Sequence, residues 1–320
     1  YDEHWMLGLH APFSGYETRR GRDRYTQHVL EAGATRTFEA WLQIENEGAL
    51  APMVRTEIEF GNLDSGRIVG TVESNDGEGV PRPAVVASRN GHAFAWSLGR
   101  NGAYALDLPT GTYDVYATAA GYGRGESQEV VIGVGSETRI DFDDVRLPGS
   151  VRFQVSDSVT GRPLDARIRI LDGDTPLIGY FGKSTFFTEL ADVGALSQPL
   201  APGRYVLEVA AGSGFVSLPQ RVSVDVSAGQ NQDVTVGIPV TAAPAKRGWY
   251  SADLHHHSDV LDGFTDAEYV LRSQLSAGVD VAFLSDHDSV VNNDEMSRLA
   301  GTRDIPFIPG TELSASWGHF

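Results

Sequence analysis

The chain has 320 residues, 36 of them glycine and 15 proline, and its 43 acidic against 25 basic side chains give a formal charge of -18. That charge opposes non-specific attraction to a phosphate backbone, so nucleic acid is not an expected partner. Cysteine is absent, which excludes disulfides, zinc–thiolate sites and a cysteine nucleophile.

The length predicts two or three globular modules, and the glycine and proline content predicts many turns. No run of about 18 apolar residues is available to span a bilayer. The chain opens on Tyr1 and its first ten residues lack the pattern of a signal peptide. An upstream segment is therefore expected to have been removed, which points to an extracytoplasmic, periplasmic or secreted location.

In residues 1–65 only Arg36 to Glu45 and Val54 to Phe60 alternate cleanly, which predicts two strands of a partial β-rich region. His4, His10 and His28 have no chelating spacing and are given no role. From 66 to 147 short alternating runs are broken by Gly, Pro, Asn and Asp, the rhythm of an all-β sandwich. The rhythm returns over 148–240, where Leu200-Ala201-Pro202-Gly203-Arg204-Tyr205 answers Leu108-Pro109-Thr110-Gly111-Thr112-Tyr113. Two related sandwiches in tandem are expected. The first, with its GAYALDLPTGTYDVYATAAGY stretch, resembles the carboxypeptidase-regulatory-like family, whose modules are usually accessory; a structural or spacing role is what the resemblance implies.

Residues 241–248, TAAPAKRG, have the composition of a linker. Over 249–320 the pattern changes to β, α, β, α, β. Tyr250 to Leu254 reads as a strand, and Thr265 as the N-cap of a helix over 266–277 stopped by Gly278. Val281 to Leu284 reads as a strand, the region around 294–300 as a helix, and Ile305 to Ile308 as a third strand. Short connections between alternating strands and helices imply parallel strands.

Each of these strands is followed by residues that can ligate a metal: His255 and His257, then Asp286, His287 and Asp288, then Glu312. In an extended segment residues two apart share a face and lie roughly 6.6 Å apart, so His255 and His257 converge on one ion while His256 faces away. In an α/β barrel the C-terminal strand ends meet at one mouth, where Asp262 and His319 can join them. Asp253 and Asp286, just upstream of the histidines, are the expected catalytic carboxylates, acting as partners that orient imidazoles.

DLHHHS, LSDHD and PGTELSASWGH resemble the first three motifs of the PHP superfamily of metallohydrolases, and PGTELSASWGHF after a β-sandwich region is most similar to its carbaryl-hydrolase-like branch. The resemblance covers 249–320. It implies a distorted β/α barrel holding two or three divalent ions, of zinc, manganese or iron, whose metal-bound hydroxide cleaves a phosphate ester or a carboxylic or carbamate ester. His255, His257 and Glu312 correspond to ligands of one ion, Glu312 with His319 to those of a second, and His287 with Asp262 to those of a third. The later histidine and Asp-x-His pair of the family have no counterpart here, so a second chain or a continuation is expected to supply the rest of the barrel. The fold class is thus multidomain: tandem all-β sandwiches, then the first part of an α/β barrel of PHP type.

Rival readings stand beside this. A lone His287 or Glu312 is more often a surface or capping residue, and a degenerate barrel on a surface- or glycan-binding sandwich protein is the non-catalytic alternative. A closed structural zinc site is disfavoured without cysteine. Ser314-Ala315-Ser316-Trp317-Gly318 lacks the first glycine of a nucleophile elbow, and no phosphate-binding Gly-Lys-Ser/Thr loop occurs.

Overall fold

The computed structural model describes residues 5–10, 16–19, 22–25, 31–35, 37, 39–175, 183–212, 216–261, 263–315 and 318–319, with the backbone alone for 16–19, 22–25, 315 and 318–319. The chain forms two compact units, one of Tyr1–Ala120 with Arg124–Arg146, the other of Gly121–Gly123 with Leu147–Phe320. No helix among the described residues is long and apolar enough to cross a membrane.

The first unit opens with β1 (Met6–His10), β2 (Tyr16–Arg19), β3 (Arg22–Tyr25) and β4 (Trp41–Glu45), pairing β1 with β4 and β2 with β3. The expected strand at Val54 to Phe60 is instead part of helix α1, Ala51–Gly61. The helix signals are Pro52 in the first turn and Asn62, which closes the last turn with a left-handed φ of 45°. Its buried residues Ala51, Met53 and Ile58 fix the choice, because tertiary burial outweighs a short period-two pattern.

Eight strands follow: β5 (Ser65–Ser74), β6 (Ala84–Arg89), β7 (His92–Leu98), β8 (Ala103–Pro109), β9 (Gly111–Thr118), β10 (Gln128–Ile132), β11 (Glu137–Arg139) and β12 (Phe142–Val145). One sheet runs β10-β9-β6-β7; in the other β5 pairs with β8, β11 and β12. Fully buried Ile68, Leu106, Leu108, Tyr113 and Phe142 make the core. At Gly70 the chain passes so close that an added Cβ would lie 1.7 Å from the Ile140 carbonyl oxygen, which only glycine permits.

The second unit repeats the plan with β13 (Gly149–Asp157), β14 (Arg167–Asp172), β15 (Thr185–Phe187), β16 (Ala195–Leu200), β17 (Gly203–Ala210), β18 (Gln220–Val226) and β19 (Asn231–Ile238). Here β13 lies between antiparallel β16 and parallel β19, as β5 does between β8 and β11–β12. The repeated hexapeptides fold alike. The Tyr113 hydroxyl donates to the Pro109 carbonyl at 3.0 Å and the Tyr205 hydroxyl to the Ala201 carbonyl at 2.8 Å, each closing the corner into the next strand.

After a 3-10 turn at Pro244–Arg247 come α2 (Ala267–Ser276), β20 (Ala282–Leu284), α3 (Asn293–Gly301), β21 (Phe307–Pro309) and the short pair β22 (Ser314–Ala315) and β23 (Gly318–His319). The N-cap of α2 is Asp266, one residue beyond Thr265: its carboxylate accepts from the Tyr269 amide at 2.7 Å. The expected strand at Tyr250 to Leu254 reduces to one bridge, Ala252 with Val281. Ser251 is bound by the Asp280 side chain, and Trp249, Tyr250 and Leu254 stay exposed, so no ladder builds along it. Strands β20 and β21 are parallel, as expected. The described residues contain no α/β barrel; they are mostly β-sandwich with little helix.

These last elements are built onto the second sandwich. Leu190, from the loop after β15, is buried in one cluster with Ala267, Val270, Leu271 and Leu275 of α2 and Met296, Leu299 and Ala300 of α3. The Arg303 guanidinium forks onto both oxygens of Asp165 at 2.7 and 3.1 Å and donates to the Leu190 carbonyl at 3.2 Å. Arg272 donates to the Thr188 carbonyl at 2.9 Å and to the Phe187 carbonyl, and the Tyr269 hydroxyl donates to the Thr185 carbonyl at 2.7 Å.

Candidate metal centre

The two parallel strands and the bridged segment beside them continue past their ends in register, which is what gathers the site. The Ser285 amide donates to the His256 carbonyl at 2.8 Å, the Glu312 amide to the Asp286 carbonyl at 3.0 Å and the Asp288 amide to the Glu312 carbonyl at 2.9 Å. The segments carrying His255–His257, Asp286–Asp288 and Glu312 therefore lie side by side. The central one is fixed from below by the buried Gln274 of α2, whose amide nitrogen donates to the Phe283 carbonyl at 2.7 Å and whose oxygen accepts from the Phe283 amide at 3.2 Å.

His255 Nε2 and His257 Nε2 each lie 2.7 Å from the same Glu312 carboxylate oxygen, Oε2, and 3.1 Å from one another. Their rings stack at 5.1 Å, so the two side chains share a face, as the spacing requires. His287 Nδ1 is 3.8 Å from that oxygen, with its ring edge-on to His257 at 4.6 Å, and is hydrogen-bonded to the Ser314 hydroxyl at 2.7 Å. Glu312 is buried, His255 exposed, and His257 between them. Burial alone pushes the Glu312 carboxyl up; the hydrogen bond from His257 and the nearby His287 and His255 outweigh it and hold the group below the usual carboxylate value.

His255, His257 and Glu312 thus offer three ligand atoms within 4.8 Å of one another. Metal–nitrogen and metal–oxygen bonds of about 2.0–2.2 Å place donors roughly 2.9–3.4 Å apart on an octahedral or tetrahedral ion. The imidazole–imidazole separation of 3.1 Å lies in that range and the two imidazole–carboxylate separations of 2.7 Å fall slightly short of it, and two imidazoles with a carboxylate suit zinc, manganese or iron. The donor set fits a divalent ion and leaves further positions for water or substrate.

Asp253 and Asp286 lie beside the cluster, each with its own partners. The Asp253 carboxylate is bonded to His256 Nδ1 at 2.8 Å and accepts from the His255 amide at 3.3 Å, so it orients the histidine that turns away from the cluster. The buried Asp286 carboxylate is bonded to no imidazole among the described residues; it accepts from the Ser258 amide and hydroxyl, both at 2.6 Å. Asp262 lies outside the described residues. His319 has its backbone paired with Ser314 across β22 and β23, and its side chain also lies outside them. Asp288 takes a left-handed φ of 46° and its carboxylate accepts from the Ser314 amide at 3.0 Å.

Three supporting residues are given no role by the sequence. Ser285 pins His256; Ser258, fully buried, ties the histidine segment to Asp286; and Asn292 reaches across to the Ser258 hydroxyl at 2.8 Å and Asp259 at 2.7 Å. Ser258 and Ser285 lie within DLHHHS and LSDHD, and Asn292 lies outside the motifs. The loop from Ser258 doubles back so tightly that a Cβ at Gly263 would sit 1.4 Å from the Ser258 carbonyl oxygen.

Sequence comparison finds two curated relatives. The chain is 42% identical over 68 residues to the 3',5'-nucleoside bisphosphate phosphatase of Chromobacterium violaceum, covering 21% of this chain and 24% of that protein. It is 35% identical over 65 residues to a 5'-3' exoribonuclease of Haemophilus influenzae, covering 20% and 24%. The chain thus spans about a quarter of the length of the curated relatives it matches. Among solved structures, a minor pilin of Streptococcus agalactiae aligns with a TM-score of 0.35 at 16% identity, over 57% of this chain and 98% of that one. Residues 67–144, the whole run from β5 to the middle of β12, match the carboxypeptidase regulatory-like domain, and the first sandwich is a domain of that family.

Proposed function

We propose that residues 249–320 are the metal-binding part of a PHP-type hydrolase of phosphate esters or of carboxylic or carbamate esters. The observation that carries the reading is the convergence of His255 and His257 on one oxygen of the buried Glu312, from loops more than fifty residues apart. The partial identity to a phosphatase and an exoribonuclease supports it. Bound divalent ions supply acidified water and a polarised ester oxygen. The chain's own part is to hold the donors: Glu312 stays ionised among the imidazoles, Ser314 orients His287, and Asp286 and Ser258 fix the turn that presents His257. In this reading another polypeptide segment supplies further strands and ligands, and the protein works outside the cytoplasm on a small ester substrate.

The test is elemental analysis of the purified protein together with hydrolysis of aryl phosphates and aryl carbamates, supplied with zinc, manganese or iron. At least one divalent ion per molecule and loss of hydrolysis in His255→Ala are expected. Less than one ion, with hydrolysis untouched by that substitution, would overturn the reading. The larger share of β-sandwich, including a carboxypeptidase regulatory-like domain, favours a second reading, a non-catalytic protein that attaches to a surface or glycan. Metal content separates the two.

A further inference from the structure

We infer that His256, the middle residue of the histidine run, is a positioning residue for the two chelating histidines on either side of it. The inference rests on the metal-centre reading above. Its grounds are how the segment is held. Upstream, Ser251 is fixed by Asp280 and Ala252 by its bridge to Val281; downstream, Ser258 is fixed by Asp286. Between those anchors the chain has no ladder, and both Leu254 and His255 are exposed.

What restrains this stretch converges on His256. Its amide donates to the Ser285 hydroxyl at 3.2 Å, its carbonyl accepts from the Ser285 amide at 2.8 Å, and its ring Nδ1 is bonded to the Asp253 carboxylate at 2.8 Å. Asp253 also accepts from the His255 amide at 3.3 Å, so the ring contact braces the backbone on which the first chelator stands. Side chains in an extended segment alternate, so pinning residue 256 through both main chain and ring sets the direction of 255 and 257 together. The ring presents an N–H to a carboxylate, a charge-assisted bond stronger than a neutral one. Three residues in a row thus divide the work: two imidazoles face Glu312, and the one between them holds them there.

The experiment compares the unsubstituted chain with His256→Ala and His256→Asn. Zinc affinity is measured by competition with a chelating dye at fixed pH, and the melting temperature with excess chelator reports folding. The asparagine amide nitrogen occupies the place of imidazole Nδ1 and keeps a donor for Asp253. The expected result is a dissociation constant raised about 10- to 100-fold in His256→Ala, the range for groups that orient metal ligands. His256→Asn should stay within about threefold of the unsubstituted chain on the same reasoning. Zinc bound equally well by His256→Ala, or a loss in His256→Asn as large as in His256→Ala, overturns this inference alone. No zinc binding by the unsubstituted chain overturns the metal-centre reading and this inference with it.

Discussion

Leu190→Ala tests whether the second sandwich and residues 249–320 are one folding unit. Leu190 is 6% exposed and belongs by sequence to the sandwich, yet its side chain is buried among residues of α2 and α3. Truncation removes about three methylene equivalents, roughly 2.4 kcal/mol of transfer free energy at about 0.8 each. The cavity left between two helices and a strand end adds to this, for a total of about 3 kcal/mol. In a unit of this size each kcal/mol shifts the melting temperature by about 2–4 °C, so a fall of about 6–12 °C is expected. Calorimetry of the chain in chelator should show one transition for the sandwich and residues 249–320, moved as a whole. A shift under about 2 °C, or a shift confined to one of two resolved transitions, would refute the shared core.

Three other substitutions probe the site and its support. Gly263→Ala places a Cβ against the Ser258 carbonyl oxygen, so the turn must open; a zinc affinity lowered about tenfold is expected in dye competition, and an unchanged one would show that the turn does not set the ligands. Glu312→Gln should abolish zinc binding and flatten the acid limb of stability. The folded carboxyl titrates lower than the unfolded one, so its ionised form stabilises above the unfolded value near 4.3 and that support is lost as pH falls through the folded value. Parallel melting curves for the two proteins across that window would contradict it. Tyr269→Phe removes the donor to the Thr185 carbonyl and should cost about 1 kcal/mol. Burial pushes this phenol up to about 12, with Arg272 opposing and Asp266 assisting. Burial also raises Tyr104 and Tyr113, so an ultraviolet titration of the unsubstituted protein should show one more tyrosine ionising well above the ordinary value than that of Tyr269→Phe, and the fold should lose stability as pH rises from about 10 towards 12.

The sandwiches were legible in the sequence because their cores are local patterns: Val151, Phe153 and Val155 point inward and Arg152 and Gln154 outward, a period of two that survives any tertiary detail. The shared face of His255 and His257 was legible for the same reason. What failed were patterns whose meaning depends on distant contacts. Val54 to Phe60 alternates like a strand, but the burial of Ala51, Met53 and Ile58 made it a helix. Tyr250 to Leu254 has the composition of a strand, but only Ala252 finds a neighbour.

The carboxylates show the same limit more sharply. Asp286 sits next to a histidine in sequence and Asp253 two residues before one, and proximity suggests that they orient the ligands. For Asp286 the pleat decides otherwise, because a residue just before an imidazole points to the opposite face from it. Asp286 therefore reaches Ser258 instead of His287, whereas Asp253 accepts from the His255 amide and is bonded to the His256 ring, contacts that alternation along the segment does not foretell. The linker at 241–248 misled for a related reason. It separates two compositions, yet Arg303 and Asp165 cross it by 138 positions to form a two-pronged ion pair. No window along the chain contains both partners, so a sequence can announce a change of architecture at the linker while giving no sign that the two sides share a core.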